Sequence, residues 1–220
     1  MPDKPVETGK SGCLKALGIG CLGLLILVIV GGIVAYKSFG TFAAKLLTPY
    51  MSTHAVTIPT VEMSEAEVAD VLQRFNSFTS NFENKQPVPA LCLTAKEINI
   101  LIQKQQICKG CSGKVYVTIN DNKLVADFSF PLAALGDRFK ERWCNGTASF
   151  QVGTTAGRIA GFIDNIKLDQ PLPPEFVKAL QNRNLFQDLY NKPEDAEKLA
   201  RIDSISIQNG VLTIVPKTAP

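Results

Sequence analysis

The 220-residue chain holds one histidine, one tryptophan and three methionines, and it has no long run of charge of either sign. With His54 as the single imidazole, in a segment where it is expected to be solvated, most acid–base and nucleophilic schemes lose the group that moves protons near neutral pH. Neither a nucleophile elbow nor a glycine-rich phosphate loop is found. From Lys37 onward 20 basic residues face 18 acidic ones. That balance makes no field strong enough to gather phosphates, so nucleic acid is not an expected partner. No internal repeat of solenoid length is visible.

What the chain does have is one long apolar run. The 20 residues from Ala16 to Ala35 carry no charge, matching the ~20 residues that a helix needs to cross a ~30 Å hydrocarbon core. We therefore expect a short cytoplasmic tail over 1–15, a transmembrane helix over 16–36 that binds the membrane, a juxtamembrane stem over 37–60, and one folded domain over 61–217. A cleaved secretory signal is the alternative. Its apolar core is usually about 7–15 residues, and the best small-residue cut, after Thr41-Phe42-Ala43, is poor. Cys21 precedes most of the apolar run, the wrong order for a lipoprotein, while Cys13 is either an acylation site or a passive thiol. Lys4, Lys10 and Lys15 precede the run, and Lys37 and Lys45 follow it. The charge bias is small, and it is the short tail and long C-terminal part that predict an extracytoplasmic domain at the cell membrane.

Within the domain the hydrophobic period names the elements. Ser64-Glu65-Ala66-Glu67 is a capping box, in which a hydroxyl and a carboxylate satisfy backbone donors of the first turn. Val68, Val71, Leu72, Phe75, Phe78 and Phe82 then share one helical face. Thr94-Ala95-Lys96-Glu97 is a second box, opening a helix to about Gln106. Beyond Gly113 the period falls to two: Val115, Val117 and Ile119, then Leu124, Ala126, Phe128 and Phe130, make a hairpin turned at Asn120-Asp121-Asn122. Residues 132–143 read as a short helix or crossover, and Asn145-Gly146 as a turn into a strand with Ala148, Phe150 and Val152. Ile159 and Ile163 are out of phase with Ile166 and Leu168, which predicts a bulge near Asp164-Asn165. After Pro171-Leu172-Pro173-Pro174 come helices, the first with Phe176, Val177 and Leu180 facing inward. A hairpin of Ile205, Ile207, Leu212 and Ile214 closes the chain. The expected fold class is α+β, one curved antiparallel sheet packed by helices on one face.

Cysteine is the most informative polar feature. Cys92, Cys108, Cys111 and Cys144 are an even set that fits two structural disulfides in an oxidising compartment. Cys108 and Cys111 form a C-x-x-C pair, which also raises redox or metal chemistry. The pair follows a helix instead of starting one, so it meets the negative end of the dipole and gains no thiolate stabilisation. A helix of roughly 12 residues, about 18 Å long, separates Cys92 from Cys108. That distance disfavours both a four-cysteine zinc site and a Cys92–Cys108 bond. Two pairings remain: Cys92–Cys144 with Cys108–Cys111, which we prefer, or Cys92–Cys111 with Cys108–Cys144. No metal or cofactor is expected. Asp127, Asp164 and Asp203 are read as solvent-facing carboxylates, and Asn145-Gly146-Thr147 fits a glycosylation acceptor or a plain turn.

The apolar run, the element Leu93–Ile102, the Pro171-Leu172-Pro173 loop and the closing Ile205–Ile214 hairpin resemble uncharacterised bacterial envelope proteins of the YpmS type, and more distantly tubular lipid-binding domains. The resemblance implies a membrane-tethered domain without a known activity that handles lipid. It carries no site residue across. The leading expectation is a non-enzymatic envelope domain that binds a lipid or other apolar ligand between sheet and helices, with Phe75, Phe78, Phe128, Phe130, Phe150 and Phe162 as its surface. The alternatives are a protein-interaction or scaffold module whose aromatics fill an ordinary core, and a thiol oxidoreductase acting through Cys108 and Cys111. Phe162 has the opposite parity to Ile159 and Ile163 and is expected on the other sheet face.

Overall fold

The computed structural model describes residues 50–217. The expected tail and membrane helix, with Cys13 and Cys21, lie outside them, and among the described residues no helix is long and apolar enough to cross a membrane.

Both capping boxes form. Ser64 accepts from the Glu67 N–H and Glu67 returns a bond to the Ser64 N–H, opening helix α1, Glu65–Glu83. Val71 and Phe75 are buried on it, and Val68, Leu72, Phe78 and Phe82 pack partly buried against the same core. Thr94 and Glu97 repeat the arrangement at the start of α2, Ala95–Gln103. Immediately before α2 lies a short strand that the sequence reading passed over, β1, Leu91–Thr94.

The hairpin follows as β2, Val115–Asn120, and β3, Lys123–Pro131, with Asp121 and Asn122 both at positive φ in its turn. Two single 3₁₀ turns, Ala133–Leu135 and Asp137–Phe139, cross to β4, Trp143–Thr155, which pairs with β5, Arg158–Leu168. Helices α3, Pro174–Gln181, α4, Gln187–Tyr190, and α5, Pro193–Ala200, lead to the closing hairpin of β6, Ile202–Gln208, and β7, Val211–Pro216.

The fold is α+β with antiparallel strands, but the expected single sheet is two. One is ordered β2-β3-β4-β5 and the other β1-β7-β6. The cause is β1, which pairs with β7 from Leu91↔Ile214 to Thr94↔Val211 and so draws the closing hairpin into a sheet of its own. The two sheets share one continuous core: Leu91, Leu93, Ile205, Ile207, Leu212 and Ile214 from the smaller meet Val115, Leu124, Phe128, Phe150 and Ile163 from the larger.

The predicted bulge is present. Ser149 pairs with Asn165 while Phe150 pairs with Ile163, leaving Asp164 as the extra residue and restoring the inward phase of Ile166 and Leu168. The expected Asn145-Gly146 turn is not one, because both residues lie within β4 opposite Ser129 and Phe128. Glycine is needed there for close packing. A Cβ on Gly146 would sit 2.4 Å from the Lys167 carbonyl and 2.9 Å from the Phe128 ring.

Sheet edges are closed by side chains. On edge strand β2, Asn99 of α2 acts as a missing strand residue: its Nδ2 donates to Val117 O (2.6 Å) and its Oδ1 accepts from the Val117 N–H (2.8 Å). On edge strand β5, the Gly161 N–H donates to Asn184 Oδ1, Gly161 O accepts from the Leu185 N–H, and Ile159 O accepts from the Tyr190 hydroxyl. On β1, Arg74 donates to Cys92 O while also pairing with Asp70 and Glu97.

Candidate functional site

The expected stem over 37–60 is only partly within view, and its described part packs onto the domain. Strand β5 ends its ladder at Leu168↔Gly146. Beyond that point Ser52 takes its place beside β4, exchanging two backbone hydrogen bonds with Trp143 (2.8 and 2.9 Å). Met51 packs with Leu132, Phe139 and Cys144 in a small second core, and Ile58 is buried farther along.

Beneath this strap lies a buried polar latch. The Val56 N–H donates to Ser129 Oγ (3.1 Å), and Ser129 Oγ donates to Asn145 Oδ1 (2.8 Å). Asn145 Nδ2 in turn donates to the His54 carbonyl (2.8 Å) and to Asp169 Oδ2 (3.0 Å). Asn145 and Ser129 are each 2% exposed, so each needs these partners to offset the loss of water. Thus four distant segments are tied at one point. No periodicity announces this. Ser129 and Asn145 stand on the outer face of their strands, in line with the polar pair Asp127 and Thr147, so nothing in the alternation sets them apart.

The polar groups of the latch are engaged with one another. Ser52 Oγ lies 3.2 Å from His54 Nδ1, but the nearby carboxylate of Asp169 is engaged by Asn145 and not by the imidazole. Cys144 is pushed up to about 11 by burial and by the charge of Asp169, which keeps its thiol protonated. Asn145 is also closed to a sugar in the folded chain, since its amide nitrogen is doubly engaged.

Cys108 and Cys111 are joined as a disulfide with a Cα–Cα distance of 5.5 Å, ordinary for such a bond. Both are buried in the main core. Cys92 and Cys144 are free, so of the preferred pairing only Cys108–Cys111 forms, and neither bond of the alternative does. The reason is topological: Cys92 stands exposed on β1 of the smaller sheet, beside Thr213, while Cys144 stands on β4 of the larger one.

The six phenylalanines do not form one surface. Phe75, Phe128, Phe130 and Phe150 are buried in the core and Phe78 packs at its margin. Phe162 is 38% exposed on the outer face, as its parity predicts. Its neighbours there are mostly polar: Gln151 lies opposite it in the ladder, and Asp164 accepts from Lys123, Ser149 and Gln151, which holds its carboxyl below the usual range, the Lys123 bond contributing most. Phe176 was expected to face inward and is instead 46% exposed; no residue of α3 is buried. Asp127, read as a solvent-facing carboxylate, bonds the Thr147 hydroxyl across the strands (2.6 Å).

Among the described residues no group of three or more histidine, cysteine or acidic side chains is placed to hold a metal ion. No protein-family model, curated protein or solved structure matches the chain.

Proposed function

We propose that this chain is a membrane-tethered domain on the oxidising side of a bacterial cell membrane, and that it works as a protein-contact or scaffold module without catalysing a reaction. The observation that carries the reading is the occupancy of the interior. Where an apolar ligand was expected between sheet and helices, Phe150 and Phe186 are both fully buried and belong to one continuous core with Leu93, Ile98, Leu101 and Leu212. The apolar surface of both rings is taken up within the core. Three further features support it. The uncharged run over 16–35 supplies a tether. The Cys108–Cys111 disulfide suits an oxidising compartment, and its burial in the core speaks against a working dithiol. The bacterial assignment rests on the resemblance to YpmS-type envelope proteins.

The test is lipid extraction and native mass spectrometry of the full chain purified in detergent. The reading predicts a mass free of stoichiometric lipid beyond the detergent belt. One retained lipid per chain, lost on enlarging Ala148 or Ala126 in the core, would overturn it in favour of lipid carriage.

A further inference from the structure

We infer that the end of the domain bearing the Leu132–Trp143 connection is a bilayer-facing surface that rests in the phospholipid headgroup layer; this deepens the tether reading above and depends on it. The Ser52–Trp143 bridge, the second core around Met51 and the latch on His54 and Val56 fix the strap to this end of the larger sheet. The tether therefore departs from a defined point at Tyr50.

Thirteen residues, 37–49, separate that point from the end of the expected membrane helix at residue 36, and even fully extended they reach at most about 45 Å. Strand β4 runs from Trp143 away to Thr155, about 40 Å at strand rise. An inverted domain, with the Thr155 end on the membrane, would need the linker stretched along its whole flank. The upright arrangement needs no such stretch.

The chemistry of this end suits the interface. Trp143 and Tyr50 are half-buried here, with polar ring edges of the kind that settle at headgroup depth. Lys140 and Arg142 shortly precede Trp143, and Lys109 stands exposed on the disulfide loop, after which the Lys114 carbonyl accepts from the Ser129 N–H. The acidic groups at this end are Asp137, paired with Lys140, Glu141, and Asp169, held by Asn145. Residues 36–61 contain no acidic side chain while carrying Lys37 and Lys45. The chain approaching the surface thus adds only positive charge.

Trp143 is the sole tryptophan and reports on the idea directly. The full chain is reconstituted into phosphatidylglycerol–phosphatidylethanolamine vesicles with or without lipid spin-labelled at the headgroup. Emission is compared with that of a Trp143→Phe, Thr155→Trp variant checked for native circular dichroism. The proposal predicts that headgroup label removes most of the Trp143 emission and leaves the position-155 tryptophan unquenched. A protein retained in the vesicles after alkaline wash whose Trp143 is unquenched would overturn the facing surface and leave the tether standing. A protein released by the wash would overturn the tether and this inference together.

Discussion

Replacing Asn99 by alanine removes the side chain that completes edge strand β2. The wild-type amide donates to Val117 O and to Ala95 O and accepts from the Val117 N–H, all within 2.6–2.8 Å, at a residue 2% exposed. In Asn99→Ala both Val117 backbone groups lose their partner, at about 1–3 kcal/mol for each buried group left unsatisfied. Alanine returns about 0.6 kcal/mol through its better helix propensity. The net expectation is a loss of about 1.4–5.4 kcal/mol, with nothing added for Ala95 O, which keeps its place in the helix ladder. Denaturant unfolding followed by Trp143 fluorescence measures this, and hydrogen exchange at the Val117 amide localises it. Asn99→Asp sharpens the test. A carboxylate still accepts from the Val117 N–H but opposes Val117 O, whereas the protonated acid can donate to that oxygen. Its folded pKa is then raised above the unfolded value, so the variant is relatively more stable below the unfolded pKa and loses that advantage as pH rises through the folded one. A loss under about 0.5 kcal/mol for Asn99→Ala, with Val117 protection unchanged, would refute the edge-completion argument.

Other outcomes follow from particular contacts. Gly146→Ala places a Cβ 2.4 Å from the Lys167 carbonyl, a backbone atom that cannot swing aside; we expect a loss of at least about 1–3 kcal/mol, read by the same unfolding curve. Glu97 is held below its ordinary value: burial raises it, but bonds from Thr94 and Arg74 outweigh that. Its contribution is therefore complete above the unfolded carboxylate range and disappears as pH falls through the lower folded value. Glu97→Gln should flatten the acid limb of a stability–pH profile below about pH 4.5, the ordinary value. Native thiol labelling near pH 8 should modify Cys92 readily and spare Cys144, whose burial and neighbouring Asp169 keep it protonated; equal rates at both would contradict the placement of β4.

Much of the fold was legible because local rules and global packing agree. The two capping boxes, the helical stripe of α1 and the period-two hairpin each specify an element whatever lies elsewhere in the chain. The bulge at Asp164 was legible for the same reason, as a phase slip between Ile163 and Ile166. What failed depends on partners distant in sequence. Leu91–Thr94 is too short to announce a strand, and its pairing with β7 splits the expected sheet. Asn145-Gly146 has turn composition, yet its glycine serves Phe128 and β5 across the sheet. The strap escaped because residues 50–60 mix apolar and small polar side chains without a clean period and carry Pro59; the bridge to Trp143, the packing of Met51 and the latch of Ser129 and Asn145 dock them through partners distant in sequence. Helix α3 lies against β5, with Gln181 bonding the Asp164 carbonyl and Leu180 at the margin of the core, but Asn184 and Leu185 after it bond Gly161 on the strand edge and Phe176 stays outside.

The most direct test of the account is the side of the membrane on which the domain stands. Cys92 is a free, exposed thiol on β1, while Cys13 belongs to the expected cytoplasmic tail. A membrane-impermeant maleimide applied to intact spheroplasts, followed by mass mapping of the alkaline-washed membrane fraction, separates the alternatives. The account predicts labelling at Cys92 before lysis and at Cys13 only after it. Labelling of Cys92 only after lysis, or its recovery in the washed supernatant, would contradict a tethered extracytoplasmic domain.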